Sequence, residues 1–372
     1  MHERVWWRLV FLFCLIPIGI IIFFWYREVA TYTPHSKQLS TPAQVDSFLS
    51  SAEKAASPSR RYIPTGVYIQ SLKFINASDV NITGYIWQKY TPDVPDSSRG
   101  FVFPEQVFSN NTLVSEAYRH MEGDVEVKGW FFDVTLRQPF NYSKYPLDQQ
   151  DIWILLWYKE FDKDVVLTPD LEAYTLGATA PGLAFGLDTE IVPGGWVIDE
   201  TYFYYQYESY DTNFGIPNYI GQAHFPELYF NIVVKRKFHN AFIIHLVPCL
   251  IVALLLFSIL MTATADREKA GIFGFSTSGA IGTCSALFFI ILLAHIQLRQ
   301  QFSSSGIVYL EFFYLLTYIA ILATALNAYL LSIDCIKNRN DFFHGNDNRI
   351  PKMLFWPVFL GFLAVITWIY FR

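Results

Sequence analysis

The sequence has few cysteines and none in the long stretch that reads as a soluble domain, residues 27–237. A disulfide framework is therefore excluded there. All cysteines lie in or beside apolar segments, and their spacing does not fit a zinc site, so we expect small packing residues. They are Cys14, Cys249, Cys284 and Cys335.

Charge is also scarce, since only 16% of the 372 residues are Asp, Glu, Lys or Arg and the formal net charge is −6. No long basic run is available to neutralise phosphates, which excludes a nucleic-acid partner. The sequence also lacks a phosphate-binding loop, a GxSxG elbow and a metal-ligand motif. We therefore expect neither an enzyme nor a cofactor.

Apolar residues are abundant instead, at 52% of the chain. They are concentrated near the N-terminus and in the last third of the chain, where several runs of about 20 residues are long enough to cross a bilayer as helices. The four candidate spans in the last third are residues 241–261, 273–296, 308–333 and 354–371.

Basic residues predict the orientation of these spans, because cytoplasmic connections are enriched in Lys and Arg. Arg267 and Lys269 separate the first two spans. Four more basic residues lie in the connection 334–352, between the last two. Both connections are then cytoplasmic, which places residues 60–237 and the C-terminus outside.

The N-terminal apolar run, within residues 1–26, follows Arg4 and Arg8. A cleaved signal peptide and a retained transmembrane anchor give the same orientation. The run exceeds the usual apolar core of a signal peptide and lacks a clear small-residue cleavage site, so we favour the anchor. Residues 27–59, rich in Ser, Pro and Ala, are predicted to be a linker.

Residues 60–237 alternate between short strand patterns and turn signals, which is typical of a β-sandwich. The last strand pattern leads directly into the first of the four spans. The strand examples are residues 65–74, 84–90, 125–136, 151–157, 202–207 and 228–237.

From about residue 62 onward, the chain resembles the pentameric ligand-gated ion channels, also called Cys-loop receptors. Residues 66–90 resemble the first two strands of that family, and residues 101–111 resemble its first ligand-binding loop. The most specific match is YPLDQQ at 145–150, which is similar to the signature of the family's eponymous loop, with Leu147 in place of an aromatic residue. Gln138 and Ile152 occupy the positions of the two cysteines that form the family's disulfide. The disulfide is therefore absent, and prokaryotic members of the family also lack it.

The resemblance implies a homopentamer in a lipid bilayer, most simply the inner membrane of a bacterium. Each subunit would have an immunoglobulin-like β-sandwich outside and a four-helix transmembrane bundle in residues 238–372. An additional N-terminal helix is foreign to the family plan. The implied partners are a small-molecule or proton ligand and permeant ions.

Coupling between the two parts is expected at the 145–150 loop. Tyr145 and Pro146 form a rigid non-helical turn, and Asp148 can accept hydrogen bonds from a buried cation. Arg236 stands where the family has an arginine before the membrane. The resemblance implies an Arg236–Asp148 pair, with Asp79 as a further partner; the alternative is a solvated surface cluster.

The resemblance also implies a ligand site between neighbouring subunits, beneath a hairpin at residues 207–224. Rings around a cation would favour an amine. The alternative for each ring is core packing, because 18% of the chain is aromatic. The candidate ligand-binding residues are Tyr85, Trp87, Phe108, Trp130, Phe132, Tyr158, Glu160, Phe161, Tyr207, Tyr210, Phe214 and Tyr219.

The second of the four spans resembles the pore helix of the family, and the one before it contains the matching Pro248. Two helical stripes compete for the channel. The favoured stripe presents hydroxyl groups to ions, with a carboxylate ring at its inner end that would select cations. It comprises Glu268, Ile272, Ser276, Gly279, Thr283 and Leu287. The competing stripe comprises Gly271, Phe275, Ser278, Gly282 and Ser285.

In the favoured stripe, Gly279 replaces the usual bulky gate residue, so the gate moves to Ile272 or Leu287. Gly274, Ser278 and Gly282 also suit close helix packing in a bundle that barely conducts. Two functions follow: a cation-selective channel opened by an extracellular ligand, and a non-conducting receptor or scaffold that keeps the sensor domain.

Overall fold

A computed structural model describes residues 2–31, 38–53, 60–107, 112–175, 177–217, 219, 223–302, 306–337 and 345–372. The chain divides into two compact units. The sheet unit contains residues 33–140 and 149–236. The helical unit contains residues 1–32, 141–148 and 237–372.

The sheet unit contains two β-sheets. The six-stranded sheet has the order β4-β6-β2-β1-β8, with β5 also paired to β6. The four-stranded sheet has the order β3-β7-β10-β9. The strands are β1 (Arg61–Phe74), β2 (Asp79–Tyr90), β3 (Phe101–Val102), β4 (Gln106–Val107), β5 (Leu113–Glu122), β6 (Val125–Arg137), β7 (Gln149–Tyr158), β8 (Val165–Pro169), β9 (Trp196–Ser209) and β10 (Ala223–Arg236).

Apolar and polar side chains alternate along the strands, so that each sheet has one buried face. In β2, Val80, Ile82 and Ile86 are fully buried, while the alternate residues Asn81, Thr83 and Tyr85 are half-exposed. Because successive side chains of a strand point to opposite faces, this apolar set shares one face. Aromatic rings join the sheets across that core: the rings of Phe101 on β3 and Trp130 on β6 meet edge to face at 5.4 Å.

The predicted linker contains a helix, α2 (Pro42–Glu53), which belongs to the sheet unit. Its Phe48 ring stacks on Tyr205 of β9 at 4.6 Å and on Tyr207 at 5.3 Å. Leu39, just before α2, forms a β-bridge with Phe203. The composition of residues 27–59 concealed this element, because α2 gains its stability from aromatic packing rather than from helix propensity.

The described part of the helical unit contains five helical segments that are long and apolar enough to cross a membrane. The unit's helices are α1 (His2–Ala30), α3 (Phe238–Ala241), α4 (Val247–Thr262), α5 (Arg267–Phe273), α6 (Thr277–Gln301), α7 (Glu311–Lys337) and α8 (Gly345–Phe371). A π-helical turn, Phe242–Leu246, joins α3 to α4 into one span. The chain therefore combines a sheet-rich domain with features of a membrane protein.

The N-terminal helix α1 is packed against the rest of the helical unit. Near its C-terminal end, the Trp25 indole N–H donates to the Tyr309 hydroxyl at 2.9 Å. The Tyr309 hydroxyl also lies 2.7 Å from that of Thr367 on α8. The Lys144 ammonium donates to the Glu28 carboxylate. One end of α1 is thus tied both to α8 and to the loop 141–148.

A break separates α5 from α6, where the sequence predicted one continuous span from residue 273. Gly274 adopts a left-handed conformation with φ 66°, which ends α5. Ser276 then caps α6, its hydroxyl accepting the N–H of Gly279 at 3.1 Å. Residues 268 and 272 therefore lie on a different helix from residues 283 and 287.

Candidate functional site

Five aromatic rings cluster at the hairpin between β9 and β10. Phe214, at the hairpin tip, contacts all four other rings, with centroid distances from 5.5 Å for Tyr219 to 6.2 Å for Trp157. Phe161 and Tyr210 complete the group, which we call the aromatic cluster. Four of its members were predicted as ligand residues, and the structure brings them together.

Phe214 occupies an unusual backbone conformation. Its φ of 53° lies in the left-handed region, which costs a non-glycine residue about 1–3 kcal/mol. The Thr212 hydroxyl accepts the Phe214 N–H at 3.1 Å, and Gly215 follows with φ 76°. This turn directs the Phe214 ring toward the other rings, although 42% of the side chain stays exposed.

Glu227 on β10 places a carboxyl group at the aromatic cluster. Its side chain lines a small cavity together with Trp157, Phe161 and Tyr219, and the residue is only 5% exposed. The Tyr210 hydroxyl donates to one carboxyl oxygen at 2.7 Å. The other oxygen is buried and has no hydrogen-bond partner among the described residues.

Burial raises the pKa of the Glu227 carboxyl above its usual value, and this outweighs the opposing effect of the Tyr210 hydrogen bond. The Trp157 indole is close enough to lower that pKa slightly, but its N–H does not reach hydrogen-bond geometry. A half-satisfied carboxyl beside several ring faces offers a cation two complementary attractions. It offers nothing comparable to an anion.

The remaining candidates of the hairpin side have other contacts. Tyr158 is buried at the end of β7 and lines the same cavity. The Glu160 carboxylate accepts the Ser98 hydroxyl at 3.0 Å. Tyr207 lies against Phe48 of α2. Phe108 lies outside the described residues.

The candidates on β2 and β6 occupy both faces of their sheet. Trp130 and Phe132 are buried on the core face, with Phe132 fully enclosed. Tyr85 and Trp87 lie on the opposite, half-exposed face. The Trp87 indole N–H donates to Asp170 at 2.8 Å. The two pairs thus face away from each other, as strand alternation requires.

Sequence reasoning missed Trp157 and Glu227. The sequence did contain a signal for Glu227. It is the one acidic residue of the segment 223–237, an apolar strand pattern that leads into the first of the four candidate spans. An acidic side chain in such a buried strand needs a partner or a function. Trp157 was placed in the predicted strand 151–157, and its neighbour Tyr158 was named as the ligand residue instead.

The loop 141–148, which connects β6 to β7, packs within the helical unit. Its Tyr145 ring lies 4.6 Å from the Phe302 ring at the end of α6 and 6.0 Å from the imidazole of His245. The backbone N–H of Tyr309, just before α7, donates to the Ser143 carbonyl at 2.8 Å. The loop therefore contacts residues at the ends of three membrane-type segments.

The predicted coupling residues have defined surroundings. Asp148 and Pro146 belong to this buried loop, and Asp148 is 2% exposed. Asp79 binds the Arg137 guanidinium through both oxygens, at 2.7 and 3.0 Å, and that hydrogen bonding lowers the Asp79 pKa. The Arg236 guanidinium lies 4.0 Å above the Trp196 ring. The Arg236–Asp148 pair stays a prediction.

One face of α6 packs against other helices, and the opposite face is open. The packed face contains Ala280, Cys284, Leu287, Ile291 and Leu298, all buried. Leu287 of the favoured stripe is therefore only 5% exposed. At 100° per residue, the opposite face contains Ser278, Gly282 and Ser285 of the competing stripe, followed by Phe289, Leu293 and Ile296.

The other members of the favoured stripe fall on three elements. Glu268 and Ile272 lie exposed on α5, and Ile272 is 75% exposed. Ser276 is the capping residue of α6. Gly279 and Thr283 lie at the edge of the open face, where the Thr283 hydroxyl donates to the Gly279 carbonyl at 2.9 Å.

A search of protein families finds no match for this chain, and a search of curated proteins finds no significant match. The functional assignment therefore depends on the geometry of the aromatic cluster, the loop 141–148 and α6.

Proposed function

We propose that the chain is one subunit of a homopentameric cation channel that opens when an amine binds at the aromatic cluster. The observation that carries this proposal is the buried Glu227 carboxyl, which has one unpartnered oxygen and lies beside four rings of the aromatic cluster. A desolvated cation over ring faces gains about 0.5–2 kcal/mol, and a carboxylate contact adds to that. The pentamer itself rests on the sequence resemblance.

The architecture supports the same family plan. The two sheets, joined by aromatic contacts across a common core, fit an immunoglobulin-like β-sandwich. The four segments after residue 237 fit a four-helix bundle, with α1 as an added fifth helix. We place the sheet domain outside the membrane, since the basic connections predict that orientation. The bacterial inner membrane is what the resemblance to prokaryotic family members implies.

We assign the pore to the open face of α6 rather than to the stripe favoured by sequence. The packed face is occupied by contacts within the subunit, so the opposite face is left for the central axis. Its first half presents Ser278, Gly282 and Ser285. Its second half presents Phe289, Leu293 and Ile296, which are 62%, 63% and 44% exposed. In a pentamer, five copies of each apolar side chain would surround the axis and close the pore by dewetting.

The loop 141–148 is the proposed mechanical link. It continues directly into β7, and β7 carries Trp157 of the aromatic cluster. Its other side contacts the α6 end, His245 and the residue before α7. Ligand binding can shift the pore equilibrium only through differential affinity for the two states, and this loop offers a short route for that difference.

Replacing Tyr145 by Ala is expected to uncouple binding from opening. The ring contacts of Tyr145 with Phe302 and His245 would be lost while the aromatic cluster stays intact. Amine affinity should change less than about threefold, and the amine-evoked ion flux should fall about tenfold or more, the equivalent of about 1.4 kcal/mol. Calorimetry and liposome flux on the same preparation measure both. Parallel losses of binding and flux would contradict a coupling role.

The general test is amine-triggered uptake of thallium ions into liposomes that contain the purified protein. Butylamine and tetramethylammonium serve as probes, with 1-butanol as an uncharged control. Uptake with the two cations alone supports the proposal. Absence of uptake with every probe favours the alternative, a non-conducting receptor or scaffold, which the apolar second half of the α6 open face also suits.

Glu268 is expected to set ion selectivity at the inner mouth. Its carboxylate is exposed at the start of α5, where five copies would form an acidic ring. Glu268→Ala should reduce the preference for potassium over chloride, measured from reversal potentials in a salt gradient. Glu122→Ala, at an exposed position of β5 in the sheet domain, is the control. An unchanged cation preference in Glu268→Ala would overturn this assignment.

A further inference from the structure

The helices α1 and α8 run parallel, and a groove opens between their N-terminal halves. At their C-terminal ends they are connected through Trp25, Tyr309 and Thr367. Toward their N-terminal ends they separate around a space of about 690 Å³, within the range of about 300–1,000 Å³ typical of ligand sites. The groove is lined by Trp6, Leu9, Val10 and Phe13 of α1 and by Arg349, Ile350, Met353, Leu354 and Pro357 of α8.

The walls of this groove are apolar, with one exception at its end. Trp6, Leu9 and Phe13 are each more than half exposed, so they face the surroundings rather than a protein core. Among the described residues that line the groove, Arg349 is the single charged one. An apolar groove with a guanidinium at its end suits a molecule that has hydrocarbon chains and an anionic head group.

Arg349 differs from its basic neighbours in having no ion-pair partner among the described residues. Lys269, by contrast, binds the Asp347 carboxylate at 3.3 Å. Lys352 also lies near Asp347, since its charge contributes to the electrostatics of that carboxyl. A half-buried guanidinium at a bilayer surface binds phosphate well, because its planar fork suits two oxygens.

We propose that this groove binds an anionic phospholipid from the adjacent leaflet, with its phosphate at Arg349 and an acyl chain along α1. A zwitterionic lipid would fill the apolar walls as well, but its own cationic group offsets its phosphate, so it would neutralise the guanidinium less than an anionic lipid. Both α1 and α8 form the walls of the groove, so the site depends on the presence of the additional helix α1. The proposal holds whether or not the protein conducts ions.

The test uses full-length protein in phosphatidylcholine vesicles containing traces of photoreactive phosphatidylglycerol or photoreactive phosphatidylcholine. After illumination, labelled peptides are mapped by mass spectrometry. We expect phosphatidylglycerol to label residues 6–13 and 349–357 preferentially. Arg349→Gln should reduce that labelling about fivefold, the equivalent of about 1 kcal/mol for one basic side chain near a membrane surface.

Two variants are matched controls. Arg349→Lys should keep most of the labelling, and Lys352→Gln, one turn away and outside the groove, should leave it unchanged. Leu354→Trp should block the groove while the charge stays in place, which keeps the proposal testable if Arg349→Gln folds poorly. Equal labelling by the two lipids, or labelling unaffected by both Arg349→Gln and Leu354→Trp, would overturn the proposal.

Discussion

Glu227→Gln is expected to weaken amine binding about 10- to 100-fold. The change keeps the side-chain shape but removes the negative charge, and a hydrogen bond to a charged group contributes about 1.5–3 kcal/mol. The aromatic cluster alone would retain the weaker cation–π attraction. Calorimetric titration with butylamine, whose ammonium group can donate that hydrogen bond, measures the difference.

Glu105→Gln is the matched control for this variant. Glu105 is another carboxyl whose pKa burial raises, and it accepts the Trp153 indole N–H at 2.9 Å, outside the aromatic cluster. Its replacement should not weaken amine binding, because the Glu105 charge helps to raise the Glu227 pKa and its removal favours the Glu227 carboxylate. Equal weakening in both variants would indicate a general effect on the fold and contradict a role for Glu227 in binding.

The pKa of Glu227 adds a pH signature. Because burial raises that pKa, the carboxyl is protonated at a higher pH than an ordinary glutamate. The folded state then binds the proton more tightly than the unfolded state, so this group favours folding more as pH falls through its folded pKa toward 4.5. Amine affinity should fall over the same range, and the affinity of Glu227→Gln should not follow that change.

Leu293→Ser is expected to open the pore at lower amine concentration. Leu293 is 63% exposed on the open face of α6, in the apolar half that we assign to the gate. A hydroxyl there favours a hydrated pore, and a change of about 1.4 kcal/mol in the closed–open equilibrium corresponds to a tenfold shift. Liposome flux against amine concentration measures it.

Leu322→Ser provides the comparison, because Leu322 is a leucine that is 70% exposed and lies on α7, not on the proposed pore helix α6. Its amine dependence should match that of the unmodified protein. Leu287→Ser tests the stripe favoured by sequence: Leu287 is buried among helices, so its replacement should lower thermal stability rather than ease opening. Easier opening in Leu287→Ser with no effect of Leu293→Ser would return the pore to the stripe favoured by sequence.

The membrane segments could be predicted from the sequence because hydropathy and length decide them. The break at Gly274 could not, since one glycine followed by a serine cap reads as part of an apolar run until its φ is known. The choice between the two candidate pore stripes could not be made from the sequence either. Periodicity defined two stripes, but only helix packing showed that Leu287 belongs to the buried face.

The aromatic cluster was predicted in part. Its hairpin members followed from the family resemblance and their position. Glu227 lies about seventy residues beyond Trp157 in sequence, and the two meet only because β10 pairs with β7. Contacts between segments that are far apart in sequence depend on how the strands pair, and local sequence patterns do not predict that pairing. The helix α2 escaped prediction for the same reason, because its partners are Tyr205 and Tyr207.

The most direct test of the account is the current across a planar bilayer containing the purified protein, in a potassium chloride gradient, with butylamine added on the side of the sheet domain. The account predicts an amine-evoked current that reverses toward the potassium equilibrium potential and is strongly reduced in Glu227→Gln at the same concentration. Silence with every cationic amine, a current that reverses toward the chloride potential, or an equal response in Glu227→Gln would contradict it.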